Sequence, residues 1–251
     1  MAMIAFPSVQ SLLIQMQFRG QPLSTGTAFV ALSSKRTPYL LTNRHNVTGR
    51  NQETDQPLSK TGGIPDSIVI VHNKKNTLGQ WVPRTETLYD MDGKSRWKEH
   101  PVLGAKADFV ALPISALEDV ALYPYDDPGN PGVEMSIGPA ETVSVIGFPF
   151  GITAGGAFAV WATGFIASEP DIDFDGLPVQ LIDCRSRQGQ SGSPVLAYRA
   201  GGSYALPSGG SVMTTQPVQR LLGIYSGRIN AESDLGIVWK ISAIKELMDT
   251  V

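Results

Sequence analysis

The 251-residue chain contains a single cysteine, Cys184, and only three histidines. One cysteine excludes any intrachain disulfide, and this favours a bacterial or otherwise reducing origin over a disulfide-stapled secreted scaffold. A catalytic thiol needs a nearby base, and no histidine is close to Cys184 in sequence. We therefore predict that Cys184 is a small buried side chain.

The sequence also lacks a strong charge bias and a long apolar run. Its net charge is −3, which gives no reason to expect a nucleic-acid partner. The N-terminus has no basic start, and its apolar residues alternate with glutamines, unlike a signal peptide or a membrane span. We expect no membrane contact and a cytoplasmic location.

Turn residues are abundant, with 26 Gly and 18 Pro between many short apolar runs. This pattern favours an all-β chain, and the length is sufficient for two lobes that share one cleft. We predict a turn over residues 21–26 and a mobile Gly/Ser-rich excursion over residues 201–210. The last element is predicted as a short helix over residues 242–248, with Ser242 as its cap.

The chain is organised around Gly189-Gln190-Ser191-Gly192-Ser193-Pro194. Glycines on both sides of a serine let the backbone approach another group closely. The hydroxyl of Ser191 could then act as a nucleophile, with the amides of Gly189 and Ser191 as an oxyanion hole. Taken alone, this stretch is equally typical of an ordinary hairpin turn.

Two further stretches favour the catalytic interpretation. An apolar strand over residues 40–42 leads to His45, and Asp108 opens the apolar run of residues 109–112. The chain order is histidine, aspartate, serine, as in chymotrypsin-type enzymes. An α/β-hydrolase is disfavoured, because its histidine comes last and Ser193 replaces the second glycine of its elbow.

With these three motifs the sequence resembles the trypsin-like serine peptidases, and among them the bacterial glutamyl endopeptidases and HtrA proteases. The resemblance runs from Gly26 to the final helix. It implies an all-β fold of two six-stranded antiparallel β-barrels with a short C-terminal helix. Residues 1–122 would form the first barrel with His45 and Asp108, and residues 123–251 the second barrel with Ser191. Residues 113–139, rich in turn residues, would contain the linker.

The resemblance implies a serine endopeptidase that cleaves proteins or peptides through an acyl-enzyme and uses no cofactor or metal. Ser226, Gly227 and Arg228 would form the edge that pairs with the substrate backbone. Gln190 stands where digestive enzymes have an aspartate, so we expect no activation by a cut N-terminus. The alternative is a catalytically silent binding module, although all the required residue types are present. A regulatory partner could act at the loops of residues 51–65, 73–101 and 200–216.

Specificity remains open between two interpretations. By resemblance, the pocket walls are Arg185, Ser186, Tyr225 and residues 226–228, with Gly236 farther on. Arg185 in the pocket would favour Asp or Glu on the acyl side of the cleaved bond. If Arg185 instead turns to solvent or pairs with Asp183, a small apolar pocket is left. Glutamyl endopeptidases usually carry a histidine where this chain has Tyr225.

Overall fold

The computed structural model describes residues 4–125, 133–230 and 232–251, and most of the ordered elements in them are β-strands. The first seven strands form one curled antiparallel sheet in the order β5-β4-β1-β2-β3-β6, with β7 paired to β4. These strands are β1 (Ser11–Phe18), β2 (Gln21–Leu32), β3 (Pro38–Thr42), β4 (Ser67–Lys74), β5 (Trp81–Thr87), β6 (Val110–Pro113) and β7 (Val120–Ala121).

The alternation of β1 explains how this sheet forms its core. Leu12, Ile14 and Met16 are buried, whereas the intervening Leu13 and Gln15 are only partly covered. Because side chains alternate between the two faces of a strand, the buried residues share one face. Ile14 is opposite Ile70 of β4, and the two belong to one apolar cluster.

Six later strands close into a barrel in the order β10-β15-β14-β11-β8-β9. They are β8 (Thr142–Gly147), β9 (Val160–Ile166), β10 (Val179–Asp183), β11 (Pro194–Arg199), β14 (Val218–Arg228) and β15 (Leu235–Lys240). The Gly/Ser-rich excursion contains the strand β12 (Gly202–Ala205), which pairs with β13 (Ser211–Thr214) in a hairpin. The excursion therefore contains a two-stranded hairpin, and its mobility stays a prediction.

Three short helices complete the described chain: α1 (Pro7–Gln10), α2 (Arg44–Thr48) and α3 (Ile241–Met248), together with a 3-10 turn at Pro149–Gly151. Helix α3 buries Ala243, Ile244, Leu247 and Met248 in an apolar cluster shared with both sheets. The predicted cap at Ser242 is wrong, because the helix already begins at Ile241 and no side chain caps it. None of the helices within the described ranges has the length and apolar character needed to cross a bilayer.

The fold class predicted from the sequence is confirmed: an all-β, chymotrypsin-like chain with a C-terminal helix. The C-terminal barrel is closed with six strands, while the N-terminal sheet has seven. The predicted turn over residues 21–26 is wrong, because β2 begins at Gln21 and the chain reverses at Arg19 and Gly20, both with positive φ. Seven residues of the predicted linker, 126–132, lie outside the described residues, and the division at residue 122 stays a prediction.

Candidate active site

Two neighbouring strands bring His45 and Asp108 together, although 63 residues separate them. Thr42 at the end of β3 is paired with Val110 at the start of β6. Helix α2 with His45 follows β3, and Asp108 precedes β6, so both lie at the same edge of the sheet. The side-chain amide of Asn43 fastens this edge by donating to the backbone carbonyl of Asp108 at 2.6 Å.

The Asp108 carboxylate is buried and holds the His45 ring in a defined orientation. Oδ2 of Asp108 lies 2.7 Å from Nδ1 of His45, and Oδ1 accepts a hydrogen bond of 3.0 Å from the His45 backbone amide. The hydroxyl of Ser226 donates to Oδ2 as well, at 2.5 Å. Three donors thus satisfy a carboxylate that would otherwise be costly to bury.

The environment of His45 makes it a usable base. Burial by itself lowers its pKa, but the charge of Asp108 and the hydrogen bond to it raise it, and the pKa ends above 6.5. Because a neutral imidazole carries one proton, the Asp108 bond keeps that proton on Nδ1. Nε2 then has a free lone pair that can take a proton from a hydroxyl.

The Ser191 loop joins β10 to β11 and needs its glycines. Gly189 has φ +93° and Gly192 has φ +88°, in the region that other residues rarely adopt. A Cβ on Gly192 would lie 2.0 Å from the carbonyl oxygen of Thr27, and a Cβ on Gly189 would lie 2.4 Å from that of Phe148. A side chain at Gly192 would push the loop away from the first sheet, and a side chain at Gly189 would push it away from the turn that follows β8.

The amides of Gly189 and Ser191 are available to an incoming oxygen. Within the described part of the chain neither amide donates a hydrogen bond, whereas the neighbouring amides of Gln190 and Gly192 donate to Arg187 and Tyr225. The side chain of Gln190 is buried, and its Oε1 accepts from the Arg187 amide at 2.7 Å. The buried Gln190 side chain therefore stabilises the conformation of the Ser191 loop through a hydrogen bond inside that loop.

The Ser191 hydroxyl is partly exposed and lies 3.5 Å from the carbonyl oxygen of Ser226. Among the described residues no hydrogen bond joins it to the His45 ring. Catalytic hydrogen bonds are often long in an empty site and tighten when substrate binds. The structure thus brings His45 and Asp108 into contact and puts Ser191 on the same cleft without a direct bond to His45.

The cleft has a volume of about 840 Å³ and is lined from both sheets. It extends from the three candidate catalytic side chains to the β1–β2 hairpin and to the loop after α2. The described residues on its walls include His45, Asp108, Gly189, Ser191, Ser226 and Arg228.

The predicted specificity residues separate into two groups. The side chain of Arg185 is 77% exposed, does not line the cleft, and lies near Asp234 rather than Asp183. Ser186 and Tyr225 are buried and share a hydrogen bond between their hydroxyls. Burial raises the pKa of Tyr225 to about 12, so this phenol stays neutral. A Cβ on Gly236 would come within 2.6 Å of the Tyr225 ring.

The single cysteine and the other two histidines lie outside the cleft. Cys184 is buried, its thiol donates to the carbonyl oxygen of Ala162 at 3.4 Å, and burial raises its pKa to about 11. His72 is buried in β4, and neither ring nitrogen has a partner among the described residues. His100 is buried as well, with Nε2 at 3.3 Å from a Glu246 oxygen on α3.

Sequence reasoning missed the contacts of several polar residues around the site. Ser226 was expected at the substrate edge and in the pocket wall, yet its hydroxyl also holds Asp108. Asn46 donates to the carbonyl oxygen of Ser191 at 3.3 Å, and Thr27 bonds the same loop. The sequence does show polar residues next to the catalytic motifs, as with Thr27 between Gly26 and Ala28. This pattern marks such residues as candidates, but it does not show which group each of them bonds.

Comparison with known proteins assigns the class. The family model described as trypsin-like peptidase domain matches residues 26–205. The chain therefore belongs to the trypsin-like peptidase family. No curated protein matches it.

Among solved structures, the chain is similar to the active form of the Rv3671c protease from M. tuberculosis. The identity is 17%, the match covers 96% of this chain and 80% of that one, and the TM-score is 0.50. It is also similar to the serine endoprotease from Yersinia pestis, with 14% identity and a TM-score of 0.50. That match covers 99% of this chain and 66% of the Yersinia chain. At these identities the likeness defines the fold, which is that of the serine proteases.

Proposed function

We propose that the protein is a serine endopeptidase that hydrolyses peptide bonds with His45, Asp108 and Ser191. One observation carries this proposal: a buried carboxylate is bonded to Nδ1 of a histidine on the cleft that also contains Ser191. A surface ion pair would not need the three donors that Asp108 receives.

In the proposed reaction His45 takes the hydroxyl proton on Nε2 while Ser191 Oγ attacks the carbonyl carbon. The negative oxygen that forms is stabilised by the amides of Gly189 and Ser191. His45 then gives its proton to the leaving amine as the C–N bond breaks. A water molecule attacks the acyl-enzyme in the second half, again with His45 as base, and releases the acid and free Ser191.

The free edge of β14 supports an extended peptide as the substrate. Pairing between β11 and β14 ends at Ile224, while β15 pairs with β14 as far as Arg228. Gly227 and Arg228 are therefore paired on one side only, and Ser226 lies in the register shift that precedes them. Ser226 and Arg228 line the cleft beside Ser191. A substrate strand added to this edge would be held by backbone hydrogen bonds, independently of most side chains.

One observation favours the alternative of a silent binding module: Ser191 has no hydrogen bond to His45 in the described structure. A fluorophosphonate probe separates the two functions, because it reacts only with an activated serine. We expect the wild-type protein to be labelled and to cleave casein, while Ser191→Ala does neither. A folded wild-type protein that shows neither labelling nor cleavage would leave only the binding function.

A further inference from the structure

We infer that Thr27 is a positioning residue that aims the two oxyanion amides into the cleft. This inference rests on the proposed function, because it concerns how the Ser191 loop is held for that reaction. Thr27 lies in β2 of the first sheet, 162 residues away in sequence from Gly189. Its side chain is fully buried.

Every polar group of Thr27 is used at the boundary between the two sheets. Its amide donates to the carbonyl oxygen of Ser191 at 3.0 Å, and its hydroxyl donates to the carbonyl oxygen of Gly189 at 2.9 Å. The hydroxyl also accepts from the Phe148 amide at 3.1 Å. The Thr27 carbonyl accepts from the hydroxyl of Thr42, in the strand leading to His45, at 2.8 Å.

These bonds restrain the two residues whose amides are unpaired. Gly189 can rotate between several backbone conformations at little cost. The Thr27 bond on its carbonyl fixes the peptide plane between Gly189 and Gln190, and thereby the position of Gly189 beside the cleft. The peptide plane that carries the Gly189 amide is held at the Gln188 carbonyl, which accepts a hydrogen bond of 2.6 Å from the Phe150 amide. The carbonyl of Ser191 accepts from both Thr27 and Asn46, whereas among the described residues only Thr27 donates to the Gly189 carbonyl. Loss of the Thr27 hydroxyl should therefore disturb the position of Gly189 more than that of Ser191.

The surroundings of Thr27 leave no space for a rearranged side chain or for water. A Cβ on Gly147 would lie 2.6 Å from the Thr27 hydroxyl oxygen, and one on Gly192 would lie 2.0 Å from its carbonyl oxygen. Valine has nearly the shape of threonine but would place a methyl group against a buried carbonyl and a buried amide. Both groups would lose their partner, and the loop would be free to relax towards another one.

The decisive variant is Thr27→Val, measured by the rate of phosphonylation by the fluorophosphonate probe. In this reaction the Ser191 Oγ–P bond forms, the P–F bond breaks, fluoride leaves, and His45 takes the hydroxyl proton. The phosphoryl oxygen occupies the oxyanion hole, so the rate reports on Gly189 without knowledge of the natural substrate. Since small displacements of catalytic groups and loss of one oxyanion donor are both costly, we expect a fall of roughly 10- to 100-fold. With casein, kcat should fall and KM should change little.

Ser11→Ala is the matched control. The Ser11 hydroxyl is buried and donates across the two sheets to the carbonyl oxygen of Ile146 at 2.7 Å, but it does not touch the Ser191 loop. We expect this control to lower the unfolding temperature without slowing phosphonylation. Thr27→Ser keeps the hydroxyl and should retain most of the wild-type rate. If Thr27→Val does not fold, Thr27→Ala is compared with Thr27→Ser, because these two differ by the hydroxyl alone.

The outcomes distinguish this inference from the proposed function. A wild-type protein that is not labelled contradicts the proposed function, and the inference falls with it. Wild-type labelling with an equal rate in folded Thr27→Val, or in folded Thr27→Ala relative to Thr27→Ser, overturns the role of Thr27 alone. Equal slowing in Ser11→Ala and Thr27→Val also overturns it, because the effect would then come from weaker contact between the sheets. Slowing in the hydroxyl-free Thr27 variants, with normal rates in Ser11→Ala and Thr27→Ser, supports it.

Discussion

The guanidinium of Arg185 lies 3.7 Å from the carboxylate of Asp234 and is largely exposed to solvent, outside the cleft. Arg228, by contrast, lines the cleft beside Ser226 and Ser191. An exposed ion pair of this kind contributes little free energy and is screened by salt. Of these two arginines, the one that lines the cleft is therefore Arg228, together with the charged residues Glu53 and Lys60.

We predict that Arg185→Ala leaves the cleavage-site preference of the enzyme unchanged, whereas Arg228→Ala alters it. The measurement is a cleavage profile of a peptide library by the two variants and the wild-type protein. Arg187→Ala serves as a control for lost positive charge, because Arg187 also lies near Asp234, at 3.9 Å. A preference for Asp or Glu that disappears in Arg185→Ala would contradict this prediction and return Arg185 to the pocket.

The catalytic role that we propose for the three residues predicts a large and shared loss of activity. Ser191→Ala, His45→Ala and Asp108→Asn should each lower kcat on casein by about 10⁴-fold, because the three groups act as a unit. Combining Ser191→Ala with His45→Ala should cost little more than either change alone. Near-wild-type turnover by any folded single variant would disprove its assigned role. Circular dichroism and the unfolding temperature check that each variant is folded.

The raised pKa of His45 predicts the acidic limb of the pH profile. The ring must be neutral to act as a base, so kcat/KM should rise with pH through a midpoint above 6.5. The same shift stabilises the folded protein below pH 6.5, and this contribution is lost as pH rises through the folded pKa. Asp108→Asn removes the charge that raises the pKa, so its residual activity should show a lower midpoint. An unchanged midpoint in that variant would assign the limb to another group.

The lowered pKa of His72 predicts that the folded protein loses stability in acid. Burial is the main cause that lowers its pKa to about 4; Arg84 lowers it further, and Glu86 and Asp119 raise it. Since the unfolded chain takes up a proton below pH 6.5 and the folded one only near pH 4, stability falls as pH decreases between these values. The loss reaches on the order of 3 kcal/mol at 1.36 kcal/mol per pKa unit.

The matched variant for this effect is His72→Leu, which continues the apolar row of Ile68 and Ile70 on β4. We expect its free energy of unfolding, measured in urea, to decrease less between pH 6.5 and pH 4 than that of the wild type. Wild-type and variant curves that run parallel over this range would show that His72 is not the group responsible.

The sequence predicted those parts of the site that depend on local pattern. Apolar strands next to His45 and Asp108 and glycines around Ser191 are visible along the chain, and chain order linked them. The turn over residues 21–26 was wrong because the start of β2 is an exposed ribbon whose polar residues imitate a loop. Its stability comes from pairing with β1, which composition does not reveal.

The supporting contacts could not be read from the sequence, because they join residues far apart in the chain. Ser226 is 118 residues from Asp108, and Asn46 is 145 residues from Ser191. Arg185 is a case in which the sequence suggested a contact that the structure does not contain. Its position in the sequence relative to Ser191 predicted a place in the specificity pocket. The side chain instead lies near the carboxylate of Asp234, which belongs to a later loop.

The burial of Cys184 has a practical consequence for spectroscopy. With a pKa of about 11, roughly one thiol in ten thousand is ionised at pH 7, and the thiolate is the form that reacts with maleimides. Met91 lies in an exposed loop and is fully accessible. A Met91→Cys substitution would therefore provide a single attachment point for a fluorophore or spin label while the native cysteine stays in place.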